Sequence, residues 1–279
     1  MSESAEFNRL PILGGVEWLR ATYVTQTFSR HTHEGYALGV IERGALRFRY
    51  RGETLRADAG SINLVIPGEA HDGQADGEQG WSYSMFYLPP EALLEVAGDL
   101  APRPSLPHFR SGVLHDPDLA QDILLAHATV AQAGAPALAG ETLVRRMLTA
   151  WVERHADGFW RWPRLGDERG AVRRVRQLIH ERYREDLHLA ELAETARLSP
   201  FHLLRVFERE TGLTPHVYLV QVRVQSAREL LAGPLPLAQV AAETGFADQS
   251  HLTRAFKRQY GLTPGRYRKI VQDSPAAAK

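Results

Sequence analysis

The chain has 279 residues, 44% of them hydrophobic and 24% charged, with no cysteine and a formal net charge of zero. This composition excludes disordered and collagen-like chains, and the lack of cysteine excludes disulfides, thiolate nucleophiles, thiol alkyl acceptors and Cys-ligated zinc. No run approaches the ~18 apolar residues that span a bilayer. The first nine residues carry two glutamates and no apolar stretch, so a cytoplasmic protein with no membrane partner is expected.

The zero net charge conceals a division. Residues 168–279 hold 18 Lys/Arg against 12 Asp/Glu, and residues 1–167 hold 15 against 21. The basic part is the one to test for phosphate contacts.

From Thr22 to Leu88, short runs rich in Val, Ile, Tyr, Phe and Thr are punctuated by glycines such as Gly35, Gly44, Gly52, Gly60 and Gly68. That is strand and turn punctuation. Ala45 to Arg51 alternates apolar and charged residues at period two, as a half-buried strand does, and a small barrel or sandwich is expected. From Pro89 the character changes. Asp118–Gln132 and Leu138–Asp157 carry apolar residues at helical spacing, among them Leu119, Ile123, Val144, Met147 and Trp151, with a turn at Gly134 to Pro136 between them. These two helices either pair two copies into a homodimer over residues 118–157 or pack on the barrel. The aperiodic stretch 159–167 reads as a linker, and all that follows reads as helix up to a tail at 273–279. The fold class expected is therefore α+β in two domains, 1–158 and 168–272.

The helical part contains an internal repeat. Leu189 to Ser199 recurs as Leu237 to Ala247 at an offset of 48, and His202 to Pro215 recurs as His251 to Pro264 at an offset of 49, with one residue inserted near Asp248. Each copy has the physics of a helix-turn-helix. Ala193 or Ala241 permits close helix approach, Leu198 or Phe246 plugs the turn, and the pairs Leu203/Phe207 and Leu252/Phe256 form a buried face at i, i+4. The other side of the second helix is expected to be exposed. On it lie Phe201, His202, Leu204, Arg205 and Arg209 in the first copy, and Gln249, Ser250, His251, Thr253, Arg254, Lys257 and Arg258 in the second, with Ser199 and Asp248 beside them. An Arg there suits guanine and a Gln adenine in the major groove of double-stranded DNA, while Lys, Ser and helix N-termini hold phosphates. Arg205 and Arg254 are the expected base contacts. A helix of about 17 residues, His216 to Ala232, separates the copies by about 25 Å.

The region Glu168 to Arg268, above all Ala241 to Arg268, resembles the DNA-binding domain of the AraC/XylS transcription regulators. The resemblance implies a seven-helix domain in which Phe201, Leu204, Arg205, Gln249, Ser250 and Arg254 face bases. It also implies a non-enzymatic regulator, commonly an activator that engages RNA polymerase, controlled by a small-molecule effector bound in an N-terminal cupin-like barrel.

In the N-terminal part, His31, His33 and His71 are positioned to converge if they lie on neighbouring strands. The pattern departs from that of metal-binding cupins, in which a Glu follows the His pair by about four residues; here Ala37 and Leu38 stand there. No metal and no cofactor is expected, and the three histidines stand as hydrogen-bonding groups for an effector, as ordinary core residues, or as a candidate ligand set. Tyr36 joins them as an effector contact. Trp81, Tyr83 and Tyr87, at period two on one strand, would wall a pocket or fill the core. A cupin-type enzyme with a helical appendage and a DNA-binding protein that needs no ligand are the rival readings.

Overall fold

A computed structural model describes residues 3–101, 104–158, 160 and 168–272. Apart from Trp160, the expected linker and tail lie outside the described residues. The chain divides into two compact units, one within 1–133 and 143–164, the other within 134–142 and 165–279. No helix among the described residues is long and apolar enough to cross a membrane.

The first unit contains β1 (Ser4–Leu10), β2 (Val16–Tyr23), β3 (Thr27–His31), β4 (Tyr36–Tyr50), β5 (Glu53–Asp58), β6 (Ile62–Val65), β7 (His71–Ala75) and β8 (Trp81–Leu88), then α1 (Pro90–Leu100), β9 (Val113–Leu114), α2 (Pro117–Ala131) and most of α3 (Ala137–His155). The fifteen-residue β4 organises it. Its first part pairs with β6 and β8 and its second with β5 and β7, all antiparallel, so that the run β1-β2-β8-β4-β6-β9 and the set β3, β7 and β5 share one strand. The change of partners falls at a register shift between Ile41 and Arg43. Gly44 follows at φ +69°, where an added Cβ would lie 2.0 Å from the Gly80 carbonyl oxygen, so only glycine fits this bend.

Strands were expected from Thr22 onward, and the sheet begins earlier, with β1 and β2. β1 was illegible because it is an edge strand exposed on both faces, Phe7 included, and carries no alternation to read. The sheet does not close into a ring, which corrects the expected barrel. Its outer strands are the exposed β1 and the two-residue β9, and α2 covers the face of β4 and β8. Both faces of β8 are consequently buried. Trp81, Tyr83 and Met85 look inward with Tyr87, while Phe86 meets His127 of α2, whose Nε2 lies 3.2 Å from the Leu19 carbonyl.

The apolar face of α2 (Leu119, Ala120, Ile123, Ala126) is thus spent on the sheet, and α3 is buried along most of its length, so the pairing face expected over 118–157 shrinks to the outer side of α2 at exposed Leu125. Trp151 of α3 stacks on Phe109 at 4.2 Å and 7°, with Tyr36 edge-on.

Asp116 starts α2. Burial opposes its ionisation, but hydrogen bonds from Leu119 N (3.0 Å), His155 (2.8 Å) and Arg154 (3.3 Å) prevail and hold the carboxyl at about 2 instead of 3.8. A lowered carboxyl stabilises the fold fully above its unfolded-state value and loses that contribution as pH falls through the folded one, here from about 4 to about 2. Asp116→Ala is expected to cost about 1 kcal/mol at neutral pH as a lost N-cap and to flatten the melting profile between those pH values. Thermal denaturation from pH 7 to 2 checks both.

The second unit holds the first turn of α3 and seven helices: α4 (Arg169–Arg182), α5 (Leu189–Ala196), α6 (Pro200–Thr211), α7 (Pro215–Leu230), α8 (Leu237–Glu243), α9 (Gln249–Tyr260) and α10 (Pro264–Gln272). Leu138 lies in its core, and Glu141 accepts hydrogen bonds from Leu189 N (2.7 Å) and His188 (2.8 Å), satisfying the N-terminus of α5. Two apolar clusters result, one joining α4 to α7 with Leu138, the other built by α7 to α10. The buried Arg223 of α7 donates to the Tyr183 and Glu185 carbonyls beyond the end of α4, replacing water for those acceptors.

Candidate nucleic-acid interface and ligand cavity

The two repeats fold alike because the same positions are buried. Ala193 and Ala241 sit at the helix crossings, Phe246 plugs its turn with Leu198 packed at the corresponding place, and Leu203, Phe207, Leu252 and Phe256 are fully buried. Both turns pass through a left-handed residue, Arg197 at φ 59° and Gly245 at φ 77°. Only the second must be glycine: a Cβ at 245 would lie 2.8 Å from the Arg184 carbonyl oxygen. The inserted residue is Ala247, since the turn plugs Leu198 and Phe246 are offset by 48 and the N-caps Ser199 and Asp248 by 49. Ser199 accepts from His202 N at 3.1 Å and Asp248 from His251 N at 2.6 Å, so both residues, expected beside DNA, serve here as caps.

The second helices differ in what they leave accessible. On α9, Gln249, Ser250, Arg254, Lys257 and Arg258 are exposed. His251 is half-buried against the Phe246 ring at 5.1 Å, and Thr253 donates back to the Gln249 carbonyl at 2.8 Å. On α6, two residues expected on the open face are not there. Phe201 is 2% and Leu204 6% exposed, Leu204 within the α4 to α7 core. The reason is width: α6 carries buried apolar side chains at 201, 203, 204, 206 and 207, whereas α9 has Ser250, Thr253 and Ala255 in place of Phe201, Leu204 and Val206. His202 is bound to Glu168 at 2.8 Å and Arg209 to Glu210 at 2.9 Å; Arg205 is half-buried.

In the first unit the structure brings His31, His33 and His71 together, with ring centroids 4.4 to 4.9 Å apart. His33 reaches the others from beyond the end of β3, not from the strand. Glu34, next to it, is exposed. Burial first, then the neighbouring His71 and His31, lower the His33 imidazole to about 4, and burial also lowers His71, so both are neutral at physiological pH. The trio lines one side of a cavity of about 80 Å³ whose walls include Phe28, Asn63, Trp81, Tyr83, Met85 and Tyr87. Trp81 and Tyr83 stack at 6.2 Å and 16°; burial pushes the Tyr87 hydroxyl up to about 12 and that of Tyr83 upward as well.

Tyr36, expected at this site, is elsewhere: its ring packs on Phe109 and Trp151, its hydroxyl donates to the Pro107 carbonyl at 2.7 Å, and it does not line the cavity. Asn63 and Phe28 were not anticipated. Asn63 follows from register, because it pairs with Gly39 two residues from the Ala37–Val65 pair, and both of those residues also line the cavity.

Comparison with known proteins agrees with this division. Residues 13–145 match the AraC-like ligand binding domain and residues 192–270 a helix-turn-helix domain. The HTH-type transcriptional regulator YbfI of Bacillus subtilis is 29% identical over 235 residues, 84% of each chain. The Msm operon regulatory protein of Streptococcus mutans is 27% identical over 104 residues, 37% of each chain. The XylDLEGF operon transcriptional activator 2 of Pseudomonas putida is 35% identical over 77 residues, 26% of this chain and 49% of that protein; the chain thus spans less than half the length of these last two.

A ligand-binding sheet domain followed by paired helix-turn-helix units defines a DNA-binding transcription regulator with an effector domain. The chain thus joins a domain similar to the AraC-like ligand binding domain to a helix-turn-helix domain, the arrangement of a transcription regulator.

Proposed function

We propose that α9 is the principal reading helix, with Arg254 and Gln249 on base edges and Ser250, Lys257 and Arg258 on phosphates, while α6 contributes Arg205 in a neighbouring stretch of major groove. The observation that carries this reading is the exposed cationic face of α9 opposite a fully buried Leu252/Phe256 edge. The sixteen residues of α7 span about 24 Å, a spacer compatible with two helices set one DNA turn, roughly 34 Å, apart. Likeness to the XylDLEGF activators favours activation, with contact to RNA polymerase. Pairing of two copies would use the outer face of α2 at Leu125, and sedimentation at operator-binding concentrations checks it.

The effector is assigned to the histidine-lined cavity. A space of about 80 Å³ holds a handful of waters, so it suits a compact ligand with an apolar body for the aromatic walls and oxygen acceptors for the polar ones. Selection from random double-stranded DNA with the full chain is expected to enrich two short elements about one helical turn apart. A compact ligand is expected to raise the melting temperature of the parent and not of Ala37→Phe, which fills the cavity and leaves the selected DNA sequence unchanged. Selection without enrichment would favour the enzymatic reading, and equal ligand shifts in both proteins would remove the ligand from this cavity.

A further inference from the structure

Residues 134–142 fold with the helical unit, although the chain before and after them, 1–133 and 143–164, folds with the first. Two of their side chains are buried there. Leu138 is fully buried in the apolar cluster that α5 and α6 share with α4 and α7, and Glu141 is 6% exposed. One oxygen of the Glu141 carboxylate accepts from Leu189 N at 2.7 Å and the other from Nδ1 of His188 at 2.8 Å. A carboxylate only accepts, so Nδ1 of His188 carries a proton.

Helix α5 depends on that carboxylate. Its own N-cap residue, His188, makes no side-chain cap bond, whereas α6 and α7 are capped by the adjacent Ser199 and Thr214. The acceptor for Leu189 N comes instead from 48 residues upstream, and a carboxylate suits the positive end of a helix. The corresponding helix of the second repeat, α8, is entered through Pro236, which has no side-chain acceptor, and no side chain caps it among the described residues. The upstream clamp is thus a feature of the first copy.

We propose that Glu141 is a positioning residue for the first helix-turn-helix, seating α5, and through it the reading helix α6, by a segment drawn from the middle of the chain. In such a unit the first helix crosses the DNA backbone and the second lies in the groove. Leu138, Leu189, Leu192, Leu203 and Phe207 lie in one apolar cluster, and a close-packed cluster transmits displacement, so α5 and α6 move together when the segment is unseated. Hydrogen bonds to base edges hold only over about 2.7–3.2 Å. A small shift therefore disables readout by Arg205, while α9, built on the other cluster, keeps its place. The proposal rests on the reading of α6 as a DNA-contacting helix.

The test is selection from random double-stranded DNA with variants of the full chain. The parent is expected to enrich two elements, of which the one blurred by Arg205→Ala belongs to α6. Glu141→Ala is expected to blur that same element and to leave the α9 element as sharp as in the parent, an asymmetry that general destabilisation does not produce. Glu141→Gln is expected to restore much of the preference, since its amide oxygen still accepts from Leu189 N and its NH2 donates to Nδ1 of a neutral His188. The bond to Glu141, opposed by burial and aided by the charges of Asp186 and Glu191, raises the His188 imidazole above its usual range. The parental pair therefore weakens only as pH rises through that raised value, whereas the glutamine variant needs neutral His188 and is expected to recover more at about pH 8 than at about pH 6. Parental sharpness at both elements in Glu141→Ala, or equal blurring of both in a variant with parental circular dichroism, overturns the proposal. Should Glu141→Ala not fold, Glu141→Gln at about pH 6 decides: a blurred α6 element supports the proposal and a parental one overturns it. A parent that enriches a single element overturns the reading of α6 and this proposal together, whereas two elements unchanged in the variants overturn the proposal alone.

Discussion

Arg254→Ala is expected to weaken operator binding by about 1 to 3 kcal/mol, roughly 5- to 150-fold, and to relax sequence preference at one position of the site. Arg254 is exposed on α9 two residues before the buried Phe256, so its guanidinium leaves the protein while its backbone is held by the core. A bidentate contact to guanine is lost as a unit when the fork is removed. Lys257→Ala, one turn further along the same helix, is expected to lower affinity for all sequences alike and to reduce the slope of log affinity against log salt by about one, because a phosphate contact releases counterions but carries no base information. Titrations of operator and unrelated duplexes at several salt concentrations separate the two. Parental behaviour in both variants would remove α9 from the groove.

Phe256→Ala is expected to cost about 3 to 5 kcal/mol, most of what a domain has to spare. The cluster around it is small: Val224, Ala227, Leu231, Val240, Ala241, Phe246 and Leu252 with Phe256 at the centre, ringed by Tyr260 and Tyr267. The α4 to α7 cluster, with its own Phe207, is separate. Loss of order is therefore expected first in α8 to α10, with DNA binding lost for specific and nonspecific duplexes together. Amide exchange resolved by segment checks this, and uniform loss of protection across both clusters would show that they unfold as one.

The repeat, the helix-turn-helix cores and the cationic side of α9 were legible in the sequence because helical period, small residues at crossings and capping chemistry act locally. The two corrections on α6 have a common origin. Phe201 and Leu204 were assigned to the open side by helical face and by the family resemblance, but the buried stripe of α6 is wider than that of α9, and Leu204 joins the apolar cluster shared by α4, α5, α6 and α7. α1 went unread although Ala92, Leu93, Val96, Ala97 and Leu100 follow helical spacing behind Pro90; its signal was present and was overlooked. β1 offered no signal.

By itself the sequence determined that this is a two-domain regulator with duplicated DNA-reading units, since those features rest on residues close together in the chain. Only the tertiary structure decided which side chains share the cavity. His31, Asn63 and His71 come from different strands, and their convergence there follows from the pairing of β3 with β7 and β4 with β6, His33 joining them from the segment after β3. Strand register is a long-range property: a shift of one residue exchanges the two faces of a strand, and no local pattern specifies it.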